Sequence, residues 1–130
     1  MLKSLNASNI TSQSDLLPPP GFKWRLLNGI ISLTASATAG TRRVDCFQNF
    51  FNLGIGPLFV DTGSQTGINT TYYGYYLPTG TYSVVSSGTS TISSFAERLI
   101  FSEFDRISFN ITLITGDVFT FYFLVEEVPA

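Results

Sequence analysis

The segment RISFNITLITGDVFTFYFLV, running from Arg106 to Val125, decides the fold class of this chain. Ile107, Phe109, Ile111 and Leu113 recur at every second position with Ser108, Asn110 and Thr112 between them, and Phe119, Phe121, Phe123 and Val125 do the same after Thr115-Gly116. A period of two places alternate side chains on opposite faces of a β-strand, so each stretch is a strand with one apolar face. The short Thr115-Gly116 connection predicts that the two strands form a hairpin, with Asp117 as a turn residue and Glu126-Glu127 as a solvated strand end.

The same grammar runs back to Phe22, in short stretches of Val, Ile, Thr, Tyr and Phe broken by Gly, Pro, Asn and Ser. In GFKWRLLNGIISLTAS the apolar parity changes at Asn28-Gly29: Phe22, Trp24 and Leu26 precede it, Ile31, Leu33 and Ala35 follow. Either a two-residue turn or a bulge in one long strand produces that change, and both put Trp24 and Leu33 on one side. TRRVDCFQNFFN, PLFVD and TYSVV read as further strands, whereas SSFAERLIFSEF lacks a full helical stripe and is expected to be a loop with at most a single turn. About eight strands without helical crossovers predict an all-β, antiparallel two-sheet sandwich of jelly-roll type. Residues 18–130 form that domain. Residues 1–17, polar and without evident periodicity, are expected to be an extended N-terminal arm joined through the stiff Pro18-Pro19-Pro20 spacer and ordered by a neighbouring subunit.

At 130 residues the chain suits one domain, and with 44% hydrophobic residues it is too apolar to be disordered. Charged residues make up 12%, about half the usual share, which leaves little to solvate a large free surface and suggests that part of it meets other protein. The net charge is −2 and the densest cationic cluster is Arg42-Arg43, so nucleic acid is not an expected partner. No apolar run reaches the ~18–20 residues of a membrane helix, and the N-terminal residues lack the apolar core of a secretory signal; no membrane partner is expected. Cys46 is the single cysteine and reads as a small buried strand residue. The sequons at Asn6, Asn9, Asn69 and Asn110 are what chance gives in a chain rich in Ser and Thr.

The absence of histidine removes triad chemistry of the Ser-His-Asp and Cys-His types and any imidazole base. One enzymatic pattern remains: Asp61-Thr62-Gly63-Ser64 resembles the active-site loop of dimeric aspartic proteases, in which two aspartates share a proton. The late apolar-Gly segment of that family is replaced here by strand sequence, and some 60 residues precede the motif. A turn at a strand end is the simpler reading. No spacing of the carboxylates marks a glycosidase pair, and Glu103 with Asp105 lacks the oxygen-dense loop that calcium prefers. No cofactor, metal or catalytic residue is therefore expected.

Tyr72, Tyr73, Tyr75, Tyr76 and Tyr82, all but one of the six tyrosines, fall inside NTTYYGYYLPTGTY. Alternation sends Tyr73 and Tyr75 to one face and Tyr72 and Tyr76 to the other, so this strand is either covered on both sides or presents rings to a partner. Gly74 marks a bulge or a close backbone approach. These tyrosines, with Leu16 and Leu17 of the arm, are the candidate interface residues. Tyr72 and Tyr76 are the leading contacts.

LPPPGFKWRLLNGIISLTASATAGTRRV resembles small β-sandwich virion proteins of tailed bacteriophages. The elements are a Pro-x-Gly-aromatic-x-Trp-Arg entry (Pro19, Gly21, Phe22, Trp24, Arg25), an Asn-Gly-x-Ile-Ser-Leu-Thr strand (Asn28, Gly29, Ile31, Ser32, Leu33, Thr34) and a Ser-x-x-x-Gly-x-Arg turn (Ser36, Gly40, Arg42). ITGDVFTFYFLVEEV is similar at the C-terminal end, so the likeness covers about Leu16 to Val128. It implies a non-enzymatic jelly roll located in the virion, serving as capsid decoration, head-to-tail or tail component or spike base, with copies of itself and other virion proteins as partners. A carbohydrate- or receptor-binding module on the same sandwich, with a glycan or receptor as partner, is the alternative.

Overall fold

The strands nearest the two ends of the chain lie side by side in this molecule, the N-terminal one at the edge of a sheet. The structure is a computed structural model and describes residues 1–50, 53–76, 84–85, 90–93 and 99–130. Its strands are β1 (Leu2–Ile10), β2 (Phe22–Thr34), β3 (Arg43–Phe50), β4 (Gly54–Asp61), β5 (Thr71–Tyr76), β6 (Val84–Val85), β7 (Ser90–Ser93), β8 (Ile100–Phe101), β9 (Arg106–Thr112) and β10 (Val118–Pro129). The larger sheet has the order β1-β10-β2-β5-β7-β6, with β8 also pairing β2, and the smaller is β4-β3-β9. Among the described strands every pairing is antiparallel except β5 with β7. The expected all-β two-sheet sandwich is what the chain forms.

The parity change at Asn28-Gly29 is a bulge and not a turn. β2 is one strand throughout, and the β10 register passes from Leu124↔Asn28 to Val125↔Leu26, leaving Leu27 as the extra residue. That single insertion keeps Trp24, Leu26, Ile31 and Leu33 all in the core. Gly29 is required beside it, because a Cβ there would lie 2.6 Å from the Phe123 ring.

β9 and β10, in contrast, do not form the expected hairpin. β9 pairs β3 in the small sheet while β10 lies between β1 and β2 in the large one, so the Thr115-Gly116 turn carries the chain from sheet to sheet. Both apolar faces point inward as expected and meet each other: Phe109 packs on Phe119, Phe121 and Phe123 at centroid separations of 6.4, 5.0 and 6.2 Å. Alternation specifies which side of a strand is buried and is silent about its hydrogen-bonding neighbour.

The N-terminal residues are likewise corrected. Leu2–Ile10 is strand β1, paired along β10 of the same chain, and not a separate arm. Leu5, Ala7 and Ile10 pack against the core, and the shift between Ala7 and Ile10, where Asn9 takes φ 53°, breaks the alternation that would have revealed them. In SSFAERLIFSEF, Ile100-Phe101 is strand β8 and Glu103-Phe104 a turn, with residues 94–98 outside the described set.

The two sheets approach closely at Gly74. A Cβ on this residue would overlap the Asp61 carbonyl of β4, so only a bare backbone fits. Gly74→Ala is expected to lower stability by about 2–3 kcal/mol, since the obstruction is main chain that cannot rotate aside. Chemical denaturation of the variant against the wild type measures it.

Candidate interaction surface

β5 turns Tyr72, Gly74 and Tyr76 inward and Thr71, Tyr73 and Tyr75 outward. Tyr72 is 4% exposed and Tyr76 fully buried, its hydroxyl accepting a hydrogen bond from the Leu99 amide at 3.2 Å. The expectation that Tyr72 and Tyr76 make outside contacts is therefore corrected: they are core residues, selected by the parity that Gly74 needs to face β4. Tyr73 and Tyr75 are the outward pair, half-buried, with ring centroids 6.2 Å apart and planes 20° from parallel. Tyr82 lies outside the described residues.

Register extends this pair into a surface. Tyr75 sits opposite Ile30 on β2, Ile30 opposite Tyr122 on β10, and Tyr122 opposite Asn6 on β1. Tyr73 sits opposite Ser32, which faces Thr120. The outer face of the large sheet across β1, β10, β2 and β5 thus presents Ser4, Asn6, Thr120, Tyr122, Leu124, Asn28, Ile30, Ser32, Thr34, Thr71, Tyr73 and Tyr75 without a charge. At its end the charges begin as a matched pair, Arg25 with Glu126 at 3.3 Å. Tyr122, 42% exposed, had a legible signal: it stands at the opposite parity from Phe121 and Phe123.

Leu16 and Leu17 part company. Leu16 bridges Ile107 at the edge of β9 through backbone bonds of 2.9 and 2.8 Å, whereas Leu17 is 46% exposed. A second apolar surface, unanticipated from sequence, sits at the β3–β4 connection, where Leu53 and Ile55 are 85% and 77% exposed. No chain of polar residues flags it, because the stretch from Cys46 to Val60 contains no charge at all.

Asp61 is engaged within its own turn. Its Oδ1 accepts the Gly63 amide at 2.8 Å, Arg43 Nη2 stands 3.8 Å from Oδ2, and Thr62 exchanges hydrogen bonds with the Val44 backbone at 3.0 Å through both its amide and its hydroxyl. Asp45, opposite Asp61 in register, is bonded by Arg43 Nε at 2.6 Å, and burial pushes its carboxyl up. The buried Cys46 thiol is pushed well up by burial, then by Asp45 and Asp61, so it stays protonated. Among the described residues no group of three or more His, Cys, Asp and Glu side chains gathers where a cation would sit.

Two buried carboxylates fix the frame that carries the outer face. Asp117, read from sequence as a simple turn residue, is 1% exposed and accepts Arg42 Nε at 2.7 Å, the Ile114 amide at 2.9 Å and the Ser36 amide at 2.8 Å. Arg42, fully buried, donates onward to the carbonyls of Thr38, Gly40 and Gly67. Glu127, expected in solvent, is 8% exposed: Trp24 Nε1 donates to it at 2.8 Å and Lys3 Nζ at 3.3 Å, with Lys3 also lying 5.8 Å from the Trp24 ring centroid. The indole, with Lys3 behind it, holds the Glu127 carboxyl below its ordinary range.

Comparison of the chain with protein-family models, with curated proteins and with solved structures returned no match. Function therefore has to be argued from the surface itself.

Proposed function

We propose that this chain is a non-enzymatic structural protein of a tailed-bacteriophage particle, acting by being built against copies of itself and other virion proteins. The observation that carries the reading is the uncharged outer face of the large sheet, with Tyr73, Tyr75 and Tyr122 projecting from it. A sheet face left in water is ordinarily polar and charged, and large tyrosine area without charge is the composition of interface cores. The exposed Leu53 and Ile55 and the low charge content support the same reading, as does the likeness of Leu16 to Val128 to phage sandwich proteins. Asp61, bound into its own turn, supports the absence of catalysis. Burial of such area contributes roughly 25 cal/mol per Å² before association costs are subtracted.

Sedimentation velocity and electron microscopy of the purified protein test the proposal. Concentration-dependent assembly into rings, shells or filaments is expected, and Tyr73→Ser/Tyr75→Ser should weaken it about tenfold or more at unchanged thermal stability, because both rings lie outside the core. A wild type that stays single at high concentration would sink it. The near-parallel Tyr73 and Tyr75 rings favour one second reading, a glycan stacked on them. Saturable binding on an oligosaccharide array, lost in the same double variant while the wild type remains monomeric, would move the function there.

A further inference from the structure

We infer that the free edge of β1 joins the same edge of a second copy, continuing the large sheet across a two-fold axis at Ser4. Among the described strands the other edges are either two residues long, as in β6 and β8, or carry devices that discourage such pairing. β4 has Pro57 and lies against β3 through two register shifts, and β9 is held at Ile107 by Leu16. β6 offers two described residues. From Leu2 to Ala7, β1 runs in unbroken register with β10, without a proline or a bulge, and among the described residues nothing bridges its far side.

The hydrogen-bond phase identifies the groups left over. Met1 and Glu127 exchange backbone bonds of 3.0 and 2.8 Å. In an antiparallel ladder bonded and non-bonded pairs alternate, so Lys3, Leu5 and Ala7 bond inward to β10 while Leu2, Ser4 and Asn6 aim N–H and C=O outward. Three outward residues at every second position match themselves under a two-fold axis: Ser4 faces Ser4 of the second copy and Leu2 faces its Asn6, closing about six backbone bonds. This register sets Lys3 opposite the second copy's Leu5. A shift of two residues toward the N-terminus would set Lys3 against Lys3, a like-charge pair, so that neighbouring register is disfavoured. Glu127 already engages Lys3 from within its own chain. The junction also makes the uncharged outer faces of two copies continuous, since Ser4, Asn6, Leu124 and Tyr122 lie along it.

The inference concerns an edge and not the tyrosine face, and variants of each surface separate the two. Sedimentation equilibrium and native mass spectrometry of wild type, Ser4→Pro, Asn6→Pro and Ser4→Ala are the measurements. Proline removes an outward N–H without touching the β1–β10 ladder, so the proline variants should keep their melting temperature and dimerise about 10- to 100-fold more weakly. Ser4→Ala, which keeps the N–H, should dimerise as wild type. Hydrogen exchange gives a check independent of folding in the variants: the Ser4 and Asn6 amides of the wild type should gain protection with concentration, and should do so equally in Tyr73→Ser/Tyr75→Ser. Proline variants that dimerise normally, as an exchange of β1 between copies would allow, overturn the inference. So do Ser4 and Asn6 amides whose exchange ignores concentration.

Discussion

Asp117→Ala is expected to destabilise the fold by about 3–5 kcal/mol, a large part of the ~5–15 kcal/mol that holds a domain together. The loss comes from what remains behind. Arg42 is fully buried and its charge has Asp117 as the carboxylate within 2.7 Å; without it a guanidinium stays in the interior facing only carbonyl dipoles. The amides of Ser36 and Ile114 lose their acceptor as well. Denaturant unfolding of Asp117→Ala and Asp117→Asn reads the effect, and Asn should recover little, because it preserves shape and not charge. Replacing both partners by apolar residues, often neutral for an isolated buried pair, is expected to fail here. It would orphan the Thr38, Gly40 and Gly67 carbonyls, each at about 1–3 kcal/mol.

The pair also sets an acid limit. Burial alone would raise the Asp117 pKa, but Arg42 and the Ser36 and Ile114 amides outweigh it and hold the group at about 2, against 3.8 for an ordinary aspartate. A carboxylate depressed in the folded state contributes stability that is complete above its unfolded pKa and fades as pH falls toward the folded one. About 2–3 kcal/mol should therefore be lost between roughly pH 4 and pH 2, a loss missing from the Asp117→Asn profile. Glu127, also depressed, adds to the fall in the same direction.

What could be read in advance follows from what a period of two encodes. It marked the inward faces of β9 and β10 and the split of Tyr72 and Tyr76 from Tyr73 and Tyr75, because those depend on neighbours in sequence. It said nothing of whether β9 bonds to β10 or to β3, which depends on a turn that crosses between sheets. Nor could it tell the covered face of β5 from the open one, both being aromatic; the deciding contact, Gly74 against the Asp61 backbone, joins residues remote in the chain. Arg42, Asp117 and Glu127 look like surface charges in sequence, and their burial depends on partners 75 and 103 residues away. β1 was hidden by its own irregularity at Asn9.

Phe59→Ala carries the other large expected loss, about 3–5 kcal/mol. Phe59 is the extra residue of a bulge, falling between Val60↔Cys46 and Leu58↔Phe47, so it and Val60 both point inward. Its ring meets Tyr76, Phe101 and Phe123 edge-on at 5.8, 6.1 and 5.8 Å, gripping β5, β8 and β10 of the opposite sheet from one strand at the margin of the smaller one. Truncation forfeits those contacts and leaves a cavity bounded by three rings that cannot all collapse into it; Phe59→Leu, which fills most of the space, should cost about 1–1.5 kcal/mol. Denaturant unfolding gives both values. The comparison with Tyr73→Ser/Tyr75→Ser has a functional edge, because Phe59 and the outward tyrosines lie on opposite sides of β5. Phe59→Ala should lower stability while the remaining folded protein associates as wild type, and the tyrosine variant should do the reverse. Weakened association of folded Phe59→Ala would mean that β5 cannot hold its outer rings in place without the ring beneath it.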